Sequence, residues 1–347
     1  MHQFFCTYFD RNYLTRGLAL LESLNNCCKD FTLYIVCMDE YTRLVLEEMN
    51  FSNVKLIPFH EIEKVDHDLT ACRSKRKVVE YLWTSTPAII NYVLNLNKNI
   101  DYLFYVDADL YFYSDPIVVI NEMQLKSKSV LIHEHRFPER NKHLAVHGVF
   151  NVGLLVFKND QLARKVLEDW RIKCIEWCHD YVEDGKFGDQ AYLDVWPKVF
   201  PQVCVTENIG VGVAPWNHEQ YNYSLNQSNI PCVDNVPIVF YHYHSFKMIN
   251  TEIYVPAPSD SWRMTLNIVN YCFVPYIKAL LRVQEKLNSH FPNFKFGFVG
   301  VDFNFDLNQV IIASKALAPE LTKIGLPHEI ENLEDNWSLL KGGQYLC

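Results

Sequence analysis

The chain lacks the signatures of several large protein classes. It has no Gly-X-Gly-X-X-Gly after its first apolar run and no Gly-X-X-X-X-Gly-Lys-Ser/Thr anywhere, which excludes the dinucleotide turn and the P-loop as phosphate cradles. None of the 11 cysteines forms a Cys-X-X-Cys pair, and neither Cys27-Cys28 nor Cys174 with Cys178 has the spacing of a zinc knuckle. An odd, scattered set predicts reduced thiols and a cytoplasmic setting. No eighteen-residue apolar run is present to span a bilayer, and the stretch from Met1 to Arg11 is broken by charge too early for a secretory signal. Positive charge is scarce as well. Against 41 Asp and Glu stand 32 Lys and Arg, a formal net charge of -9, so no nucleic-acid partner is expected.

What is present is apolar material in a regular order. The 347 residues are 49% hydrophobic, enough for about two domains or one large α/β domain with an appendage. Gln3 to Phe9 reads as a strand and Asn12 to Leu24 as a helix behind Asp10. Phe31 to Met38 reads as a second strand, Tyr41 to Met49 as a helix, and Val54 to Pro58 as a third strand. This alternation predicts a mostly parallel sheet flanked by helices, with ligands beyond the carboxyl ends of its strands. Thr86 with Pro87 predicts a fresh helix start. Asn141 to His147 reads as a loop, and Asp189-Gln190 as the head of a helix that Pro197 stops. Val236 to Tyr241 reads as one strand. From Ser259 to Asn288 a long helix is expected, interrupted at Pro275, with Trp262, Leu266, Val269, Phe273 and Leu280 on its apolar side. The boundary is set at 250, leaving residues 251–347 as a helical extension that packs on the catalytic part. Its cations offer a peripheral membrane contact as a second role.

The stretch Tyr102 to Leu110 organises the rest. An apolar run of strand length stops at Asp107 and Asp109, and period two points both carboxylates the same way. Two hard oxygen donors there suit a divalent cation, which in turn would bind the oxygens of a diphosphate.

Four signatures follow one another: Asp107-Ala108-Asp109, Phe150-Asn151-Val152-Gly153, Asp189-Gln190, and a strand ending in His242. In that order they resemble the GT-A glycosyltransferases, most closely the retaining family 8 group that includes glycogenin and bacterial galactosyltransferases. The resemblance covers roughly residues 3 to 250. It implies a Rossmann-like GT-A fold and a UDP-sugar donor. The implied cation is Mn²⁺ (or Mg²⁺), held by Asp107, Asp109 and His242, with His244 as a competing ligand. By the same carry-over Thr7 and Tyr8 stand where the uracil base lies, and Asn151 near the donor sugar. Asp189 and Gln190 then face the anomeric carbon. Asp189 is equally what a helix N-cap beside Gly188 requires. The resemblance implies a pyrophosphate contact by Lys247, but the chain departs from the family there: X-X-Gly and Lys-Pro-Trp would follow the histidine, and Tyr243-His244-Ser245-Phe246-Lys247-Met248 stands instead. Trp83 stands where an arginine is common, so Lys77 or its neighbours supply the donor-facing cation.

The implied activity is transfer of a hexosyl-type sugar to a carbohydrate or glycoconjugate acceptor with retention, as in polysaccharide biosynthesis. A sugar-1-phosphate nucleotidyltransferase would share the fold and the acidic pair. It should also carry a glycine- and arginine-rich loop where Tyr8-Phe9-Asp10-Arg11-Asn12 stands. A non-catalytic sugar-nucleotide-binding or scaffold protein would keep the acidic pair yet release no UDP.

Overall fold

The computed structural model describes residues 1–256, 263–300, 310–323, 329–333 and 335–341. In chain order the strands are β1 (Gln3–Phe9), β2 (Phe31–Cys37), β3 (Val54–Pro58), β4 (Tyr102–Val106), β5 (Leu110–Phe112), β6 (Val130–Glu134), β7 (Phe150–Lys158), β8 (Val203–Val205) and β9 (Tyr223–Leu225). They continue as β10 (Pro231–Val233), β11 (Val236–Pro237), β12 (Phe240–His242), β13 (Lys247–Met248), β14 (Ile253–Val255), β15 (Ile311–Ser314), β16 (Glu329–Asn332) and β17 (Trp337–Lys341). The chain divides into two compact units. One comprises Met1–Arg11, Asn25–Ala108 and Asp115–Gly212; the other comprises Asn12–Leu24, Asp109–Ser114 and Val213–Cys347.

The first unit is a mixed α/β layer structure on a seven-stranded sheet of order β3-β2-β1-β4-β7-β6-β8. All neighbours run parallel except β7, which is antiparallel to both β4 and β6. Reversing β7 puts its first residues, around Asn151, at the edge where β4 ends, and the Asp107 N–H donates to the Gly153 carbonyl at 2.9 Å. The apolar residues of β4 alternate as period two requires. Leu103 and Tyr105 enter the core formed with Ile89, Val93, Val166 and Trp170, while Phe104 stacks on Phe5 with centroids 4.8 Å apart. Trp170 and Trp196 meet edge to face at 5.6 Å beneath that core, a geometry that adds about 1 kcal/mol to the burial of both rings.

Several local expectations are corrected here. Thr86 does not start a helix: Val78–Leu96 is one helix with Pro87 inside it. The turn before the proline is tied by hydroxyls, Thr84 to the Glu80 carbonyl at 2.7 Å and Ser85 to the Tyr81 carbonyl at 2.6 Å. Such back-bonds to the preceding turn go with a bend in a helix, and here they stand just before a residue that supplies no N–H. Glu139–His147 is a 3-10 helix rather than a loop. Pro197 opens no stop; it occupies the first turn of the short helix Trp196–Val199, where its missing N–H costs nothing.

The second unit holds three smaller sheets: β12 with β5, β11-β10-β9, and β13-β14-β15-β17-β16. The expected single strand from Val236 to Tyr241 is two short ones, β11 and β12. The chain beyond residue 250 carries the expected long helix but is not only helical. Its five-stranded sheet packs Ile249, Val255, Ile311 and Leu340 together. Helical structure begins at Leu266, passes through a π turn and continues as Val274–His290, with Pro275 in the first turn rather than breaking it. Trp262 and Ser259 lie outside the described residues. Tyr276, Ile277, Leu280, Val283 and Leu287 form the buried face of this helix. Its cations Lys278 and Arg282 pair with Asp335 and Glu22. A membrane contact therefore finds no support, since the apolar face is already buried. No described helix is long and apolar enough to cross a membrane, and the ten described cysteines are free thiols.

Candidate active site

The site starts from register. Antiparallel pairing of β5 with β12 sets Leu110 opposite His242, and the Tyr243 N–H donates to the Asp109 carbonyl at 2.9 Å. The imidazole of His242 is thereby brought to Asp109, with Nε2 3.3 Å from Oδ1 and only 4% and 13% of the two side chains exposed. Asp107 is joined to Asp109 through Ala108 alone. Asp107, Asp109 and His242 each offer one ligand atom, and these atoms lie within 4.8 Å of one another. Two carboxylates and an imidazole form a donor set for a divalent transition metal, so the residues present fit a cation.

The electrostatics around each carboxylate differ. Burial pushes the Asp109 carboxyl up, but His242 first, then His244 and Arg16, outweigh it and hold the group below the usual carboxylate range. Asp109 therefore stays ionised and ready for a cation. Trp216 sets its ring edge-on to His242 at 5.2 Å, fixing the imidazole plane. His244 is exposed and is not in the three-residue cluster.

In the first unit a run of buried hydroxyls faces two carboxylates. The Tyr105 hydroxyl donates to Asp107 Oδ1 at 2.7 Å. Tyr8 Oη donates to the Leu82 carbonyl at 3.1 Å and lies 3.2 Å from Thr86 Oγ1. Thr86 in turn hydrogen-bonds Asp189, whose carboxyl is 6% exposed and is pushed up to about 8 by burial and by the charge of Asp107. Asp189 is thus largely protonated at neutral pH. It is not a helix N-cap, because the following 3-10 helix starts after Gln190 and neither side chain caps it. The Trp170 indole N–H instead donates to the Asp189 carbonyl at 2.8 Å and pins the backbone. Gln190 Nε2 donates to the His147 carbonyl at 2.9 Å, which settles the orientation of its amide.

The remaining sequence-predicted residues are placed as follows. Thr7 is fully buried within β1, and its Oγ1 has no hydrogen-bond partner. Asn151 is buried, with Oδ1 accepting from the Gly153 N–H at 2.8 Å and Nδ2 3.2 Å from His135 Nε2. Lys77 is exposed at the N-cap of the helix Val78–Leu96, its N–H given to Glu80 Oε2 at 2.8 Å. Lys247 is half-buried on β13, opposite Val255. Sequence reasoning missed Tyr105 and Thr86 as parts of the site. The period-two step from Tyr105 to Asp107 was the available signal for the first; the hydroxyl run Thr84-Ser85-Thr86 before a proline was the signal for the second.

Comparison with known proteins adds relatives without an assigned role. The chain is 28% identical over 295 residues to the uncharacterized protein YfnF of Bacillus subtilis (strain 168), covering 84% of this chain and 96% of the relative. It is 29% identical over 301 residues to YfnD of the same organism, covering 85% and 94%. No family model matches. Among solved structures the chain is similar to the galactosyltransferase LgtC in complex with donor and acceptor sugar analogs, at a TM-score of 0.47 and 14% identity over 83% of this chain and 96% of that one. It is similar also to the apo form of mouse xyloside xylosyltransferase 1, at 0.45 and 13% over 71% and 98%.

Proposed function

We propose that this protein is a metal-dependent glycosyltransferase that moves a hexosyl-type sugar from a UDP-sugar to a carbohydrate or glycoconjugate acceptor with retention of configuration. The observation that carries the reading is the convergence of Asp107, Asp109 and His242. The order of the four sequence signatures and the place of Asp107 at the carboxyl end of a central strand support it. Asp107, Asp109 and His242 would hold Mn²⁺, which suits mixed oxygen and imidazole ligands better than Mg²⁺ does. When bound, such a cation neutralises the charge that develops on a departing diphosphate.

The chain's own residues supply the rest. Positive charge builds at the anomeric carbon as the glycosidic bond to phosphate lengthens. Gln190, with its amide nitrogen tied to the His147 carbonyl, presents its amide oxygen in one orientation. Asp189 stands beside it on a backbone clamped by Trp170. Lys247 and Lys77 are the cations assigned to the pyrophosphate and donor side. Burial of Asp189 disfavours its ionised form, which weighs against a covalent aspartyl intermediate and toward attack by the acceptor from the leaving-group side.

The test is incubation of the purified chain with Mn²⁺, a panel of UDP-, GDP- and dTDP-sugars and a mixture of oligosaccharide acceptors, with free nucleotide and acceptor mass read together. UDP release coupled to a hexose mass increment on an acceptor is expected. Binding without UDP release would turn the reading into that of a sugar-nucleotide-binding protein. Pyrophosphate release from a nucleoside triphosphate and a sugar phosphate would turn it into that of a nucleotidyltransferase.

A further inference from the structure

We propose that Tyr105 is a positioning residue for the metal centre, its hydroxyl fixing the orientation of the Asp107 carboxylate before a cation arrives. This rests on the reading of Asp107, Asp109 and His242 as metal ligands. An aspartate at the end of a strand has two soft side-chain torsions, and each ligand that must be frozen on binding lowers affinity. Here both ends of Asp107 are already held. Its N–H is given to the Gly153 carbonyl at 2.9 Å, and its Oδ1 accepts the Tyr105 hydroxyl at 2.7 Å. That length lies at the edge of the range for an O–H to carboxylate bond, which is about twice as strong as a neutral one.

The phenol is itself rigid. Tyr105 is 2% exposed in the core under the sheet, and its ring lies 6.1 Å from that of Tyr8. Strand periodicity gives the pairing its origin, since residues two apart on an extended chain share a face. The Tyr105 hydroxyl also hydrogen-bonds Tyr8, which keeps the Leu82 carbonyl and Thr86 as further partners, so Tyr105→Phe removes the bond to Asp107 and leaves Tyr8 held by the other two. Partners that orient a ligand typically change metal affinity about 10- to 100-fold when lost.

The experiment is a Mn²⁺ titration followed by the EPR signal of the free ion, on wild type, Tyr105→Phe and Asp107→Ala, with metal-free melting measured on each. Tyr105→Phe should bind Mn²⁺ about 10- to 100-fold more weakly while folding normally, and 4-aminophenylalanine at position 105, which restores a donor, should recover most of the affinity. Wild-type affinity in Tyr105→Phe, or no recovery with the amine, overturns the proposal. Should Tyr105→Phe fail to fold, the hydroxyl proton of Tyr105 followed by NMR in ¹³C-tyrosine-labelled wild type decides: it stays protected on saturation with Mg²⁺ if the proposal holds, and is lost if it does not. Wild type that binds no Mn²⁺ at all overturns the ligand assignment together with what rests on it, whereas loss in Asp107→Ala with none in Tyr105→Phe overturns this inference alone.

Discussion

Replacing Asp189 by Asn should alter the pH dependence of stability more than stability itself. Its carboxyl is buried and pushed up from the ordinary 3.8 to about 8, by desolvation first and by the Asp107 charge second. In the unfolded chain the group ionises near its ordinary value, while in the folded protein it keeps its proton. Between the two values the unfolded state therefore binds fewer protons, and stability falls as pH rises through that window before levelling above about 8. The interval between those two values corresponds to at most ~6 kcal/mol. Relaxation and water entry reduce this, and we expect about 2–4 kcal/mol in practice. Asn cannot ionise, so the variant loses this slope. Urea unfolding of both proteins, metal-free, should give a difference within ~1 kcal/mol at about pH 4.5 and a gain for Asp189→Asn of about 2–4 kcal/mol at about pH 8.5. A difference that is the same at both pH values would refute the assignment of a protonated Asp189, and with it the argument against an aspartyl intermediate.

Three further outcomes follow from the same geometry. Gly212→Ala should lower the melting temperature by several degrees, since Gly212 has φ +83° and an added Cβ would sit 2.3 Å from His133 Nδ1; a cost above about 2 kcal/mol is expected by scanning fluorimetry. Trp170→Phe removes the indole donor to the Asp189 carbonyl and opens a small cavity, which should cost about 2–4 kcal/mol in denaturant unfolding. Gln190→Ala should reduce sugar transfer about 10²- to 10³-fold while leaving Mn²⁺ affinity within twofold of wild type, as expected for a group that acts on developing charge rather than on the metal.

Much of the first unit was legible because its signals are local. The apolar strand running into Asp107 and Asp109 and the βα alternation before it both reflect side-chain period and chain punctuation, which the sequence displays directly. His242 was legible as a candidate ligand only in company with the acidic pair, and the β5–β12 register supplies the reason it lies there. The reversal of β7 was not legible, since a strand buried on both faces reads the same in either direction. The same holds for the sheet after residue 247, whose short strands such as Ile253–Val255 and Ile311–Ser314 pair over dozens of intervening residues. Thr86-Pro87 misled because it carries the composition of a helix start, and the hydroxyl bonds of Thr84 and Ser85 to the preceding turn become visible only in three dimensions. Asp189 could serve as cap or as site residue on sequence alone; the structure gives the cap position to Gln190 instead.

On the proposed reading, Asp107, Asp109 and His242 bind one divalent cation that a nucleotide diphosphate then shares. Isothermal titration of Mn²⁺, alone and with UDP, into wild type and into Asp107→Ala, Asp109→Ala and His242→Ala tests it most directly. One Mn²⁺ site is expected in wild type, with UDP binding that strengthens when Mn²⁺ is present and loss of both in each variant. Equal Mn²⁺ and UDP binding by wild type and all three variants would contradict it.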